Sequence, residues 1–504
     1  MNLNQIYENL KRQYEKDSNL INESQLRQQA WMLRDRMLYE QHFNSGNREI
    51  CNNFNLKYQW INHLKSDGVV DIRSVKIDKK ENIITAGSFL NTLTIDDKNQ
   101  VVSDNLNDGI VIKYNDKGDL IWYKHFKCTS NLRLFKTEID RKNNIYIVGH
   151  FFGEIDFDVN TKLISQSGAE SILIKLDENG NFKWVKSYPS DNNNSESISL
   201  TINNKNEIII VGRYSNDIQF NTNINRTATG TFDGYIVKYN EIGEFLWVRE
   251  IKGFDISKKS TTFVFPTDCV INKNNQIIVV GHYKESIIVQ GNIFISEGPS
   301  STNSGLGRNS FILILNDDGS LSSFKNITSD NNLSIETVSI DNKNRILVGG
   351  NFSGTFKDNI SSVQNSLLVK YDNNLNFLWY KTFKSNQQNW IRSVKVDSCC
   401  NIYCSGFFTE ECQFDDNLIL NYQGQNSFLI IFNEDSVLLR SHSNSVSNQG
   451  YEVSVNRNKV LQIGFFEGTT IFGIEGNSSE GNATLTSQGS RDVYLISYLK
   501  QLDI

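Results

Sequence analysis

Three charged residues occupy the same position in different copies of a repeated strand. Lys136, Asp268 and Glu452 each lie four residues before the Asp or Asn that ends such a strand. If the copies surround a common axis, an ammonium group and two carboxylates would converge there and could bind a small polar ligand. The equivalent residues of the other copies are mostly small or polar, so a water-filled channel also explains the pattern. We therefore predict that these three residues line a channel, which contains either water alone or a small polar ligand.

No set of residues predicts a metal site. The turns DKKEN (78–82) and NDDGS (316–320) resemble parts of a calcium loop, but neither contains the complete pattern of ligands. The spacing CC-x3-C-x7-C is no zinc pattern, and no His lies near it in sequence. Small buried side chains and turn residues explain the cysteines of this cluster, which are Cys399, Cys400, Cys404 and Cys412.

Sequence motifs of catalysis are also absent. The chain has no Gly-rich phosphate loop, no G-x-S-x-G elbow and no H-E-x-x-H. His150 and His282 share one repeat position directly after a glycine, where a solvated strand end is the simplest interpretation. We therefore predict no catalytic residue, no cofactor and no enzymatic activity.

These candidates lie on a four-strand repeat, whose clearest copy runs from Asn131 to Tyr188. Its apolar runs have strand length, are rich in Ile, Val, Tyr and Phe, and are bounded by Asn, Asp or Gly, so we name them strands A to D. An anchor glycine in strand B, followed two residues later by Phe or Tyr, recurs at intervals of 56–69 residues. This spacing predicts seven four-stranded units anchored at Gly87, Gly149, Gly212, Gly281, Gly350, Gly406 and Gly464.

Strand D indicates how the repeats close. Its Trp recurs in four copies, is Phe324 in another, and is missing from the copy at 437–441. No strand D follows the seventh strand C, but the N-terminal run 54–64 carries Trp60 in the Trp register. An N-terminal strand D would complete the seventh unit, and radial closure leaves only short, protected edges. The offset therefore predicts a closed β-propeller.

The repeat resembles a known family. The pattern D-x-x-x-N-I-Y-I-V-G-x-F, followed by D-G-x-I-V-K-Y-N-x-x-G-x-x-x-W-x-K, is similar to the bacterial seven-bladed β-propeller repeats of SBBP type, over about residues 54–500. Members of that family are mostly known as repeats rather than enzymes, so the resemblance implies a fold and little chemistry. The fold class expected is all-β, a seven-bladed propeller of four-stranded blades closed by an N-terminal strand.

The N-terminal residues differ from the repeat. Residues 1–50 are predicted to form a short α-helical arm, and 54–500 the propeller. Within the arm, 24–43 places apolar residues at helical spacing. This stripe could pack on the propeller itself or dock on a partner or a second copy, and we favour docking. The candidate docking residues are Leu26, Ala30, Trp31, Leu33 and Met37.

Composition limits the partners and the compartment. The formal net charge is −6 and charged residues are 21% of the 504, which disfavours a nucleic-acid partner. The N-terminus lacks the apolar core of a signal peptide, and no apolar run approaches a membrane span. Seven cysteines, an odd number, favour free thiols over a disulfide framework. Cytoplasmic synthesis is expected.

Two functions remain open. The B–C and D–A connections differ in length and composition and should lie on one irregular face, where binding usually resides. The missing motifs and the docking arm favour a structural or protein-interaction propeller within a larger assembly, such as the virion of a phage or large DNA virus. The alternative is a propeller that binds a ligand or glycan, or is an enzyme, with its site on the loop-rich face.

Overall fold

The computed structural model is a propeller of antiparallel sheets. It describes residues 54–502 except 105, 167, 191–193, 255–261, 296–306, 444–447 and 473–482. Every regular element in these ranges is a strand, so the all-β class is confirmed. No helix within them is long and apolar enough to cross a membrane. The arm predicted for 1–50, with its docking residues, lies outside the described residues and stays a prediction.

Each blade contains four strands that pair in the order A-B-C-D. In blades 1 to 7, strand A runs over Val70–Ile77, Asn131–Ile139, Ser195–Ile202, Phe263–Ile271, Asn332–Ile340, Asn389–Val396 and Asn448–Val455. Strand B runs over Ile83–Phe89, Ile145–Phe152, Ile208–Tyr214, Ile277–Lys284, Ile346–Phe356, Ile402–Asp415 and Lys459–Phe466.

Strands C and D complete the blades. Strand C runs over Asp108–Tyr114, Glu170–Leu176, Asp233–Tyr239, Asn309–Leu315, Asn359–Tyr371, Leu418–Phe432 and Asp492–Leu502. Strand D runs over Leu120–Phe126, Phe182–Tyr188, Phe245–Phe254, Leu321–Ile327, Phe377–Phe383, Leu438–Ser443 and, for blade 7, Phe54–Ser66. The hydrophobic core lies between the blades, because the apolar clusters join residues of neighbouring sheets.

The N-terminal strand closes the ring, as predicted. Phe54–Ser66 lies beside Asp492–Leu502 in the sheet of blade 7. Ser497 Oγ donates a hydrogen bond of 2.9 Å to Gln59 Oε1, and Asp492 accepts the backbone N–H of Ser66 at 3.0 Å. His63 Nε2 lies 2.7 Å from the second oxygen of Asp492. Backbone pairing and polar contacts therefore join the two ends of the repeat.

The B–C connections are more regular than the sequence indicated. Each is a two-stranded hairpin, formed in blades 5 and 6 by extensions of strands B and C. The separate hairpin strands are Thr92–Asp96 with Asn99–Val102, Glu154–Asp158 with Thr161–Ile164, Asp217–Asn221 with Ile224–Thr227, Ser286–Val289 with Asn292–Ile295, and Thr469–Phe472 with Ala483–Thr486. The hairpins of blades 1 to 6 pair or hydrogen-bond at the end of strand D of the preceding blade. They therefore cover its edge.

The Trp of strand D joins one blade to the next. Trp122, half-buried in blade 1, donates a hydrogen bond of 3.3 Å from Nε1 to the carbonyl oxygen of Glu178, in the C–D turn of blade 2. Lys113 Nζ donates to the same oxygen at 3.0 Å. A Cβ at Gly180 would lie 3.0 Å from the indole, so the turn glycine makes room for the ring. The same arrangement of indole and turn glycine recurs at Trp60, Trp184 and Trp247.

The Trp is missing from two copies. In blade 4, Ser323 pairs with Ile314 in the Trp register and Phe324 lies one position further along, which corrects the assignment of Phe324 to that register.

Blade 6 differs in the blade that follows it. In blade 6, Arg440 pairs with Ile431 where blade 1 pairs Trp122 with Lys113. Blade 7 takes its strands C and D from opposite ends of the chain, so no C–D turn joins them. A Trp and a Lys in blade 6 would therefore have no turn carbonyl to bond.

The cysteines depart from the prediction at one residue. Five are free and buried, as expected of small apolar side chains: Cys128, Cys269, Cys400, Cys404 and Cys412. Cys399 is disulfide-bonded, so the expectation of free thiols is wrong there.

Trp122→Ala should destabilise the propeller without altering its fold. A fully buried Trp costs about 3–5 kcal/mol when truncated, and a half-buried one should fall at the lower end. Trp122→Phe is the matched control, because it keeps an aromatic ring at the contact between the blades. Urea midpoints are the measurement. Equal midpoints for the Ala variant and the wild type would contradict a packing role.

Candidate functional site

The central channel contains two cavities, one toward each face of the propeller. The first, of about 450 Å³, lies at the face where strand A begins and strand B ends, and we name it the mouth cavity. The second, of about 420 Å³, lies among the A–B turns and is named the floor cavity. Lys136 and Asp268 line both, so the ring of residues that contains them separates the two spaces.

The three residues predicted to line the channel meet in this ring. Lys136 Nζ lies 2.6 Å from Glu452 Oε1, and the other oxygen of Glu452 accepts the backbone N–H of Val75 at 2.8 Å. Asp268 accepts hydrogen bonds from the Ser199 hydroxyl at 2.7 Å and from the backbone N–H of Val338 at 3.0 Å. These contacts cross between blades and form a plug of mutually satisfied charges. Direct contact with a ligand stays a prediction for Lys136, Asp268 and Glu452.

The charges of the plug fix its protonation state. Burial opposes ionisation of Glu452, but Lys136, Lys76 and Lys395 hold the pKa of its carboxyl well below the ordinary value. Burial likewise opposes the charge of Lys136, while Glu452 and Asp268 raise the pKa of its ammonium. The plug is therefore a charged network at neutral pH, balanced between lysines and carboxylates.

A second ring of residues, which sequence reasoning missed, faces the mouth cavity. Every strand A has a β-bulge at the same place, which adds one residue between two paired positions. Bulges re-aim side chains and are common beside active sites. The seven bulge residues all line the mouth cavity: Arg73, Phe135, Ile198, Thr267, Glu336, Arg392 and Tyr451.

The anchor glycine was the sequence signal for this ring. Gly149 pairs with Leu134 beside the bulge, and a Cβ there would collide with the carbonyl oxygen of Arg133. A Cβ at each of the other anchor glycines would likewise collide with a carbonyl oxygen of strand A. Glycine inside a strand often marks a bulge or a close backbone approach. Because strict alternation was expected along strand A, the sequence did not predict that the bulge residues face the channel.

Two arginines of the mouth are held by carboxylates. Arg73 forms two hydrogen bonds of 2.7 Å with Asp71, and its guanidinium carbon lies 5.2 Å from the Tyr451 ring centre. Arg213 contacts Glu196 at 2.6 Å and stacks on Phe265 at 4.2 Å. These pairs orient the guanidinium groups at the rim of the cavity.

Two further arginines of the mouth make no ion pair with any other described residue. Arg392 lies over the Trp390 ring at 4.4 Å, and its buried Nε has no hydrogen-bond partner. Burial lowers the pKa of Arg392, partly offset by Glu336. Arg133 is exposed at the same mouth. The cavity therefore presents guanidinium N–H groups without protein acceptors.

One carboxyl in the mouth differs from those of the plug. Glu336 is half-buried, and its side chain forms no ion pair or hydrogen bond to another described residue. Burial raises the pKa of Glu336, and Arg392 and Arg308 only partly oppose this. A carboxyl in this state can donate a proton as well as accept a hydrogen bond.

His150 and His282 are buried, which corrects their interpretation as solvated. His150 lines the mouth, and its Nδ1 lies 3.8 Å from Glu196 Oε1. Burial, with Arg133 and Arg213, lowers the pKa of His150 to about 4 against the opposing effect of Glu196. Burial and the neighbouring arginines Arg308 and Arg213 lower the pKa of His282 to about 3. Both imidazoles are therefore neutral at physiological pH.

The mouth cavity thus combines guanidinium groups, which can bind an anion, with apolar side chains, which can pack against the body of a ligand. Guanidinium forks bind carboxylate, sulfate or phosphate in two-point contacts. Tyr451, Phe135 and Ile198 supply apolar surface for the body of a ligand. A pocket with apolar walls and a few convergent polar groups is typical of small-molecule sites.

No protein-family model matches the chain, and no curated protein matches its sequence. Several solved structures are similar at 10–13% identity. An ulvan lyase, a polysaccharide lyase bound to GlcA(1-4)Rha3S, has a TM-score of 0.41 over 86% of this chain and 96% of that one. The endosialidase of phage phi92 has a TM-score of 0.37 over 90% and 70%. A mutant apocarotenoid oxygenase of Synechocystis has a TM-score of 0.36 over 90% and 96%.

These neighbours correct one prediction and leave others open. They are enzymes, so the prediction that this propeller is not an enzyme does not stand. The purely structural role and the virion are not confirmed, and the SBBP-type family is not confirmed either. At these TM-scores the similarities carry no argument about the reaction or the substrate of this chain.

Glu452→Gln should destabilise the protein at neutral pH by about 3 kcal/mol, the order expected when one partner of a buried ion pair is removed. Because the folded-state pKa of Glu452 is depressed, its contribution is complete above about pH 4.5 and is lost as the pH falls further. The difference in unfolding free energy between wild type and variant should therefore shrink in acid.

Urea unfolding at pH 7, 5 and 3 measures this difference. Glu178→Gln is the control, because Glu178 forms an exposed ion pair with Lys80, which contributes little. A difference between wild type and Glu452→Gln that stays constant across this range would contradict the ionised state of Glu452.

Proposed function

We propose that the protein is a carbohydrate-binding or carbohydrate-active propeller whose site, the mouth cavity, takes an acidic saccharide. The observation that carries the proposal is a pair of guanidinium groups at one cavity, Arg133 and Arg392, that form no ion pair with the other residues the structure describes. A carboxylate or sulfate of the ligand would accept hydrogen bonds from the guanidinium groups of Arg133 and Arg392 that line the cavity.

The body of a sugar suits the rest of the cavity. Its volume of about 450 Å³ has room for one or two sugar rings. The apolar face of a sugar ring would pack on Tyr451, while Glu336 would exchange hydrogen bonds with its hydroxyl groups. The mouth lies on the face of the B–C and D–A connections, where the sequence placed the alternative function.

Glu336 also gives the site a group for chemistry. A carboxyl whose pKa is raised by burial can protonate the leaving oxygen of a glycosidic bond. Glu196, paired with Arg213, is a carboxylate of the same cavity. Cleavage of an acidic glycan is the reaction that this pair of carboxyl groups favours, with Glu336 as the proton donor.

Calorimetry with acidic and neutral sugars tests the proposal. Oligogalacturonates and chondroitin sulfate disaccharides should bind the wild type, whereas maltotriose at equal concentration should not. Charge-assisted hydrogen bonds contribute about 1.5–3 kcal/mol, so Arg392→Gln should weaken binding at least tenfold, or about 1.4 kcal/mol. Arg133→Gln is the second variant, because that exposed side chain can be changed without disturbing the core.

Arg141→Gln is the matched control, since Arg141 is exposed in an A–B turn on the opposite face. Wild-type affinity in the control, with weaker binding in both mouth variants, supports the site. Chromatography of the sugars after incubation detects cleavage, which Glu336→Gln should abolish. Binding of acidic and neutral sugars with equal affinity, or no binding of any acidic sugar, would refute the proposal.

A further inference from the structure

The floor cavity contains a lysine that makes no contact with a counter-ion. Lys395 lies in strand A of blade 6, two residues before Asp397 in the A–B turn, and it lines the cavity. Its ammonium group forms no ion pair or hydrogen bond with another described side chain or carbonyl. It therefore differs from the other two lysines that face the channel at this level.

The carboxylates near Lys395 are already occupied. Lys76 Nζ lies 2.6 Å from Glu138, and Lys136 Nζ lies 2.6 Å from Glu452. Asp268 accepts the hydroxyl groups of Ser199 and Thr337 and two backbone N–H groups. Each carboxylate thus has closer partners than the Lys395 amine.

Asp397, the acid nearest to Lys395 in sequence, is occupied as well. It lies 2.9 Å from Lys500 Nζ, and it accepts the hydroxyl of Tyr403 at 2.9 Å. Of the other charged groups in the floor cavity, Lys273 is bonded to the carbonyl oxygen of Asn342, and Asp341 pairs with Arg345 at 2.5 Å. The cavity therefore provides no free carboxylate for Lys395.

The surroundings of Lys395 lower the pKa of its amine. Burial, with the charges of Lys76 and Lys136, lowers its pKa to about 8, against the weaker attraction of Glu452 and Asp268. A lysine that is desolvated or placed beside other cations is the usual form of an amine nucleophile. A fraction on the order of one tenth of Lys395 is therefore unprotonated at pH 7, far more than for an ordinary surface lysine.

We propose that Lys395 is a covalent capture site for a small aldehyde or ketone that enters the floor cavity. The neutral amine attacks the carbonyl carbon and forms a carbinolamine. The carbinolamine hydroxyl then leaves as water with one proton, and a protonated imine joins the ligand to Lys395. One C=O bond is lost, one C=N bond forms and one water is released, so no oxidant or reductant is needed.

The geometry of the channel limits the ligand. The plug separates the floor from the mouth, so the carbonyl compound must enter from the face of the A–B turns. A volume of about 420 Å³ accommodates a compound of a few carbon atoms beside the ordered side chains. Ser339 and Thr201 line the cavity with hydroxyl groups that can bind its oxygen atoms. This site is distinct from the mouth and does not depend on the acidic saccharide.

Reductive trapping tests the proposal on the full chain. The protein is incubated with pyruvate or with glycolaldehyde in the presence of cyanoborohydride, and modified lysines are mapped by peptide mass spectrometry. Modification at Lys395 should exceed that of an average exposed lysine at least tenfold. Its rate should rise through about pH 8, where the amine loses its proton.

Two variants identify the amine responsible. Lys395→Arg keeps the positive charge but cannot form the imine, so the excess modification should disappear while the melting temperature stays near that of wild type. Lys273→Arg is the matched control, because Lys273 lines the same cavity and is exposed, and it should retain the labelling at Lys395. Trapping by pyruvate alone would assign an anionic carbonyl ligand, and trapping by both probes a neutral one. Labelling that follows solvent exposure, with no excess at Lys395, would overturn the proposal.

Discussion

The close approach of strand A to the anchor glycine of strand B determines both the blade and its site. At Gly149 a side chain would collide with the Arg133 carbonyl, and each of the other anchor glycines meets a strand A carbonyl in the same way. This approach makes room for a bulge in every innermost strand, and the bulge turns one additional side chain toward the axis. Without the glycine, the ring that contains Glu336 and Arg392 would be lost from the mouth cavity.

The contact between blades is equally local and equally repeated. An indole of one strand D lies under the C–D turn of the next blade and bonds its carbonyl oxygen, as Trp122 does with Glu178. A buried lysine of strand C shares that oxygen in the same blade. Blade 7, which follows blade 6, has no C–D turn. In blade 6, Arg440 and Ile431 stand in place of the Trp and Lys. Blade 4 is a second exception, because Ser323 and Ile314 stand at these positions although blade 5 has a C–D turn.

The plug gives the two ends of one channel different chemistry. Lys136 and Glu452 neutralise each other, and Asp268 is saturated by hydrogen bonds, so the centre of the channel is closed by satisfied groups. Above it lie Arg133 and Arg392, which form no ion pair within the described part of the chain. Below it lies Lys395, whose pKa is lowered by burial and by the neighbouring lysines. The two ends of the channel therefore differ in charge environment, with arginines at the mouth and a lysine without a close counter-ion among the described residues at the floor.

The sequence alone was enough to predict the blade number, the strand order and the N-terminal closure at Trp60, because these depend on local periodicity and on a repeated register. It also placed Lys136, Asp268 and Glu452 in one ring, since equivalent repeat positions meet at the axis. It missed Glu336 and Arg392, because a bulge breaks the alternation on which that counting relies. Which charges have partners, as the surroundings of Lys395 illustrate, could be seen only in the folded protein, because ion pairs between blades depend on distances that no spacing along the chain encodes.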